Sequence, residues 1–199
     1  MAGTFPISNS KFSTMGIRTS QDTIITITDS GKKLSRQIDG QRFGFTAQII
    51  TAKRSDVYGE LMAFIVKQRS GKENFTIVPP EVENARGTAS GTPNGTASAG
   101  ATSITLGGTG TGTLKAGDFI KFANHDKVYM VVSDQSDIST GSLTIEPPLT
   151  TAVSSSDIQY DNVPFTLHLT NDIQEFGVVG ADKDGNALYQ FEFDVEESL

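Results

Sequence analysis

The chain has 199 residues, with 16 Lys or Arg against 23 Asp or Glu and a formal net charge of −7. It holds no Cys and no Trp, which excludes a disulfide-stapled secreted domain, thiolate metal sites and Cys nucleophiles. No apolar run approaches the ~20 residues that span a bilayer, and the opening MAGTFPISNS has no basic region followed by an apolar one. Neither membrane insertion nor a signal peptide is therefore expected, and the chain is expected to be made and soluble in a cytoplasm.

Residues 1–20 are polar with scattered Phe5, Phe12 and Ile17, which reads as an extended arm or edge segment. The β-branched run 23–28 predicts a strand. Asp29-Ser30-Gly31 predicts a turn, and residues 34–38 a weak strand. In residues 42–51, Phe43, Phe45, Ala47 and Ile49 alternate with polar residues, as a half-buried strand requires. Residues 55–69 predict a helix, with Ser55 as N-cap, Val57, Leu61 and Phe64 on one stripe, and Gly71 as the C′ residue. Residues 75–78 form a further strand, stopped by Pro79-Pro80.

Residues 86–113 hold eight of the 20 glycines, and Gly87-Thr88-Ala89-Ser90 recurs as Gly95-Thr96-Ala97-Ser98. Two short copies do not make a solenoid, so a flexible linker or long loop is expected, with 102–106 as the first strand of an inserted unit. Residues 114–133 are the densest apolar piece of the middle third. They read as a hairpin, 118–123 and 127–133, around Asn124-His125-Asp126. This hairpin is taken as the nucleus of a small β-barrel. Residues 142–146 predict a strand, 150–157 a polar loop, and 158–160 a short strand. Strands are predicted at 165–169, 174–179 and 187–195, the last with Tyr189, Phe191, Phe193 and Val195 on one face.

The fold class expected is mainly β (α+β). Residues 1–84 and 163–199 would form one discontinuous domain, a sheet or two sheets with the helix packed on it. Residues 85–162 would form an inserted small β-barrel.

Charge is unevenly placed: residues 1–86 sum to +4 and residues 87–199 to −11. This argues against general nucleic-acid binding, which needs a basic face. It suits head-to-tail self-association, with uneven solvated charge as the plainer alternative.

Candidate chemistry is sparse. His125 lies in a predicted turn and His168 on the polar face of a strand; two His so far apart make no metal site by themselves. The run Gly107-Gly108-Thr109-Gly110-Thr111-Gly112 fits no dinucleotide pattern and lacks a P-loop lysine. Ser70-Gly71-Lys72-Glu73 lacks the upstream glycine, and there is no Gly-x-Ser-x-Gly elbow. Asp182, Asp184 and Asn186 imitate the front of a calcium loop, but Ala187 and Phe193 stand where Gly and Glu are needed. A hairpin turn is the simpler reading. Asn94-Gly95-Thr96 matches a glycosylation sequon without a secretion signal. No two carboxylates can be argued to converge. No catalytic, cofactor-binding or metal-ligating residue is assigned, and no cofactor is expected.

Several segments together resemble a known family. Leu114-Lys115-Ala116-Gly117-Asp118, then Phe119-Ile120-Lys121-Phe122, then His125-Asp126-Lys127-Val128-Tyr129, are similar to the insertion-domain motif of distal tail proteins of long-tailed bacteriophages. The order of parts agrees: a helix ending at Arg69-Ser70-Gly71, a strand ending at Ile77-Val78-Pro79-Pro80-Glu81, a return strand at Val163-Pro164-Phe165, and the acidic end Glu196-Glu197-Ser198-Leu199. The resemblance spans roughly residues 40–199.

It implies a ring, usually hexameric, at the distal end of the tail tube. The split domain would be a tail-tube-like β-sandwich with a flanking helix, and the insertion an OB-like barrel facing outward. Implied partners are the tail tube protein and baseplate hub or tail-tip proteins, with genomic DNA passing through the lumen without specific binding. The implied location is the virion, at the distal tail or baseplate, after assembly in the host cytoplasm. The resemblance carries no catalytic residues. If the acidic half lines the lumen, it would repel DNA phosphates. The alternative is a carbohydrate-binding adhesin module of a phage tail, which would have to stack sugars on Tyr129 or Tyr160, since Trp is absent. A tail glycan hydrolase has only scattered carboxylates behind it.

Overall fold

The computed structural model describes residues 3–8, 11–38 and 40–198; residues 1, 2, 9 and 10 of the expected arm, and Leu199 of the acidic end, lie outside these. In chain order the described elements are β1 (Gly3–Thr4), β2 (Phe12–Ser20), β3 (Thr23–Ile27), β4 (Lys33–Gln37), β5 (Arg42–Lys53), α1 (Gly59–Lys67) and β6 (Phe75–Ile77). Then come β7 (Pro93–Ala97), β8 (Ser103–Gly108), β9 (Phe119–Phe122), β10 (Val128–Val131), β11 (Ser142–Glu146) and β12 (Val153–Gln159). The last are β13 (Phe165–Leu169), β14 (Phe176–Ala181) and β15 (Ala187–Glu197). The fold is mostly β with α1 as the α-helix among the described residues. No helix among them is long and apolar enough to cross a membrane.

One sheet runs β1-β6-β13-β15-β5-β2, and β14 joins it on β15. It branches because β15 outruns its neighbours: Tyr189 pairs with Val178 of β14, whereas Glu197 pairs with Leu167 of β13. Strict alternation sends Phe45, Ala47, Ile49, Phe191, Phe193 and Val195 to one face, where all are buried. Leu61 and Ile65 of α1 close that face. The expected arm is partly core: Phe5 is 6 % exposed and stacks 5.4 Å from Phe193, while β2 is indeed a sheet edge.

The helix begins differently from the expectation. Residues 54–58 form a π turn, and the Gly59 N–H donates to the Arg54 carbonyl, five residues back. Ser55 caps nothing, and its hydroxyl meets Asp56 at 3.2 Å. The chain passes from extended Lys53 directly into this turn with no capping side chain, and the wider turn buries both Val57 and Tyr58. At the other end Arg69 and Ser70, not Gly71, take the left-handed conformation. Gly71 serves close approach instead: a Cβ there would lie 2.4 Å from the Leu169 carbonyl oxygen.

The second unit is a closed antiparallel barrel, β10-β11-β8-β7-β12-β9. Two expectations are corrected here. The Gly/Thr-rich stretch is no flexible linker, because it supplies β7 and β8. Gly95 has low strand propensity, yet a Cβ on it would sit 2.7 Å from Ile104 and 2.8 Å from Phe122. The missing side chain makes room for the barrel core. The polar stretch 150–157 is no loop either, since β12 occupies most of it. A register shift between Val153 and Ser156 breaks the alternation, with Ser155 at φ 49°. Val153 and Ile158 thus both face the core across a bulge.

The third unit is the hairpin β3–β4. It pairs with itself alone among the described strands, and every residue of both strands is exposed.

Candidate functional site

The hairpin β9–β10 is buried on both of its faces. Ile120, Phe122, Tyr129 and Val131 fill the barrel. The alternate residues Phe119, Val128 and Met130 point out of it and join the core of the sheet. Phe119 meets Phe43 and Phe165 edge-on at 5.3 and 5.5 Å. This outer face is a joint between barrel and sheet, so the hairpin's alternation serves two cores at once.

At the centre of the joint lies an ion pair between Lys127 and Glu197, with side chains 2 % and 0 % exposed. Glu197 stands on the inward side of β15, in phase with Phe193 and Val195. Its carboxylate also accepts hydrogen bonds from the Val128 N–H at 2.8 Å and the Phe43 N–H at 3.3 Å. The Lys127 ammonium sits 4.8 Å over the Phe43 ring. Burial pushes the Lys127 ammonium below the ordinary lysine value, against the pull of Glu197. Sequence reasoning placed Glu197 in an acidic end and Lys127 in a strand and in the insertion-domain motif, and paired neither; the charged residue in phase with an apolar face was the available signal for Glu197.

The other conspicuous motif residues have structural work. The buried Asp118 carboxylate accepts the Lys115 N–H at 2.7 Å and the Arg86 N–H at 2.8 Å. Gly117 turns at φ 96° just before it. The two chain crossings are tied together, with the Ala85 N–H donating to Asp161 at 2.7 Å and the Asn162 N–H to the Glu83 carbonyl at 2.9 Å.

His125 is held by Asn124 through Nδ1 and by the Tyr129 hydroxyl through Nε2, both at 2.8 Å. His168 lies on β13, far from it in the fold, and the two are not brought together. Among the described residues no group of three or more His, Cys, Asp or Glu could hold a metal ion. The Asp182 carboxylate is occupied by Lys53, by the Asn186 amide at 3.0 Å and by the Asp184 N–H at 2.9 Å. Lys53 first, then Asn186, hold it well below the usual carboxylate range. Asp182 thus closes a hairpin turn and Asp184 does not converge on it as a co-ligand. Tyr129 is fully buried and Tyr160 donates its hydroxyl to the Gly91 carbonyl at 3.0 Å. The Tyr129 ring is therefore no platform for a sugar.

Burial first, then the Lys121 and Lys127 charges, push His125 below its ordinary value of 6.5, with Asp126 opposing. The unfolded chain therefore takes up this proton first. Its contribution to stability is complete above about pH 6.5 and is lost as pH falls through the lower folded value. The melting temperature should drop between pH 6.5 and 5 more steeply in the native chain than in His125→Gln, and equal slopes would remove His125 as the cause.

Two surfaces remain open. Among the described residues, large exposed apolar side chains gather in two patches, with Val66 and Val132 apart. Ile24, Ile25, Ile27, Leu34 and Ile38 lie on or beside the hairpin β3–β4, and Ile173, Val178 and Val179 on or beside β14. On the sheet face turned away from the core, β15 presents Glu192, Asp194 and Glu196. Arg18 reaches Asp194 at 3.1 Å and Ser20 meets Glu196 at 2.5 Å.

Residues 82–163 match the family model described as "Distal tail protein pb9, B domain". The match covers the barrel and both crossings. No curated protein sequence matches the chain.

Proposed function

We propose, from the match of residues 82–163 to a distal tail protein B domain, that the chain is a structural virion protein of a phage tail that forms a hexameric ring at the distal end of the tail tube. In this reading residues 1–84 and 163–199 build the ring, and residues 85–162 form an OB-like barrel directed outward. The ring connects the tail tube protein to baseplate hub or tail-tip proteins. In this reading acidic residues of the chain's second half line the bore, where they repel phosphate and let genomic DNA pass without specific binding. Its location is the distal tail or baseplate of the virion.

The family match over the barrel is the observation that carries this reading. The buried joint supports it, since a barrel fastened to the sheet by a desolvated ion pair and three aromatic rings suits an adaptor that transmits load. Light scattering and negative-stain microscopy on micromolar protein should show rings, or rings assembled onto isolated tail tubes. A strict monomer that also fails to join tails would overturn the proposal.

A further inference from the structure

The hairpin β3–β4 has no strand partner among the described residues, although two-stranded hairpins are marginally stable alone in water. Both of its faces are exposed: Ile24, Leu34 and Arg36 lie on one, Ile25, Ile27 and Lys33 on the other. Each face thus pairs apolar surface with a cation. The second exposed apolar patch has the opposite charge. On the outer side of β14 and β15, an open groove of about 460 Å³ is lined by Ile173, Val179, Glu175 and Glu192. β14 pairs with β15 along one edge, and its other edge is unpaired among the described strands.

These patches lie at different points along one long strand, β5. The hairpin leaves the sheet where Ser20 pairs with Arg42, at the start of β5. β14 borders the part of β15 that pairs with the end of β5, at Ala52 and Lys53. The groove itself reaches Gln48 of β5, which pairs with Glu192, so about six residues of β5, roughly 20 Å at ~3.3 Å per residue, separate it from Arg42. Both strands of the hairpin are exposed and the groove is open, so the hairpin of one copy does not cover that copy's own groove.

We propose that the hairpin β3–β4 of one copy docks into the Ile173–Glu175–Val179–Glu192 groove of the next copy, joining subunits head to tail. Ile24 and Leu34 remove water from the groove, Arg36 on the same face meets Glu175 and Glu192, and Lys33 beside the turn adds its positive charge from the opposite face. Two different surfaces meet, so the contact is heterologous and repeats from copy to copy until the rotation closes. This rests on the ring reading and names the contact that builds the ring.

The test uses the full chain and charge reversal. Lys33→Glu with Arg36→Glu makes the hairpin acidic, and Glu175→Lys with Glu192→Lys makes the groove basic. Each double variant should unfold at the wild-type temperature, as exposed changes do, and should need at least ~10-fold more protein to assemble. Mixed one to one, the two variants should assemble at the wild-type concentration, because every junction is again of opposite charge. All four changes in one chain should also assemble. If the wild type assembles and either double variant does so equally well, or the mixture stays dissociated, this contact is wrong while the ring reading stands. A wild type that neither self-assembles nor joins tails overturns both.

Discussion

Glu197→Gln is expected to destabilise the protein by about 3–5 kcal/mol, because it leaves the Lys127 ammonium buried without a counter-charge. The change also reverses hydrogen-bond polarity. The carboxylate accepts from Lys127, Phe43 and Val128, whereas an amide offers one accepting oxygen and an NH2 group that donates. At least one of the three donors would then face another donor. For a chain of this size the loss corresponds to a fall in melting temperature of about 6–20 °C. Adding Lys127→Met should recover part of it, since the unpaired charge leaves the joint and the methionine keeps most of the side-chain volume. A loss under about 1 kcal/mol in urea titrations of Glu197→Gln would mean that water reaches the pair and that the joint is looser than its burial indicates.

How far this joint could be read from sequence depends on which signals it uses. The alternation of β15 and of the β9–β10 hairpin was legible, because a period of two is set by the pleat itself. The second burial of Phe119 was not, because an outward residue on a barrel looks the same whether it meets solvent or another sheet. Lys127 and Glu197 are of types that are almost never fully buried, and 70 positions separate them. Only their place in phase with apolar neighbours marked them. The barrel's own strands were obscured for two reasons. β7 needs Gly95 for space, so its composition imitates a linker, and β12 carries a bulge that interrupts its alternation. The π turn before α1 likewise shifts the buried positions off a 3.6-residue period. Both strands of the exposed hairpin were legible, but their isolation was not, because β-branched content reports strand preference and says nothing about what covers it. Residues 182–186, which imitate the front of a calcium loop, close a tight turn on Asp182, and Phe193 stands at the twelfth position where such a loop needs a carboxylate.

Phe119→Ala should cost about 3–5 kcal/mol, the range for removing a buried aromatic ring, although the residue points away from the barrel core. Its ring is 7 % exposed and fills the space between Phe43 and Phe165. The edge-on contacts with those rings contribute about 0.5–1.5 kcal/mol each beyond area burial. Val66, 75 % exposed on α1, is the matching control, and Val66→Ser should change stability by no more than about 0.5 kcal/mol. The informative measurement is the combination with Glu197→Gln. Both residues act on Phe43, one through its ring and the other through its N–H. A joint that behaves as one packed unit should give a coupling energy of about 0.5–3 kcal/mol in a double-mutant cycle. Strict additivity would instead mean that ring packing and ion pair hold the barrel independently. In that case losing either would leave the barrel still fastened to the sheet, and the joint would consist of two attachments where the packing around Phe43 indicates one.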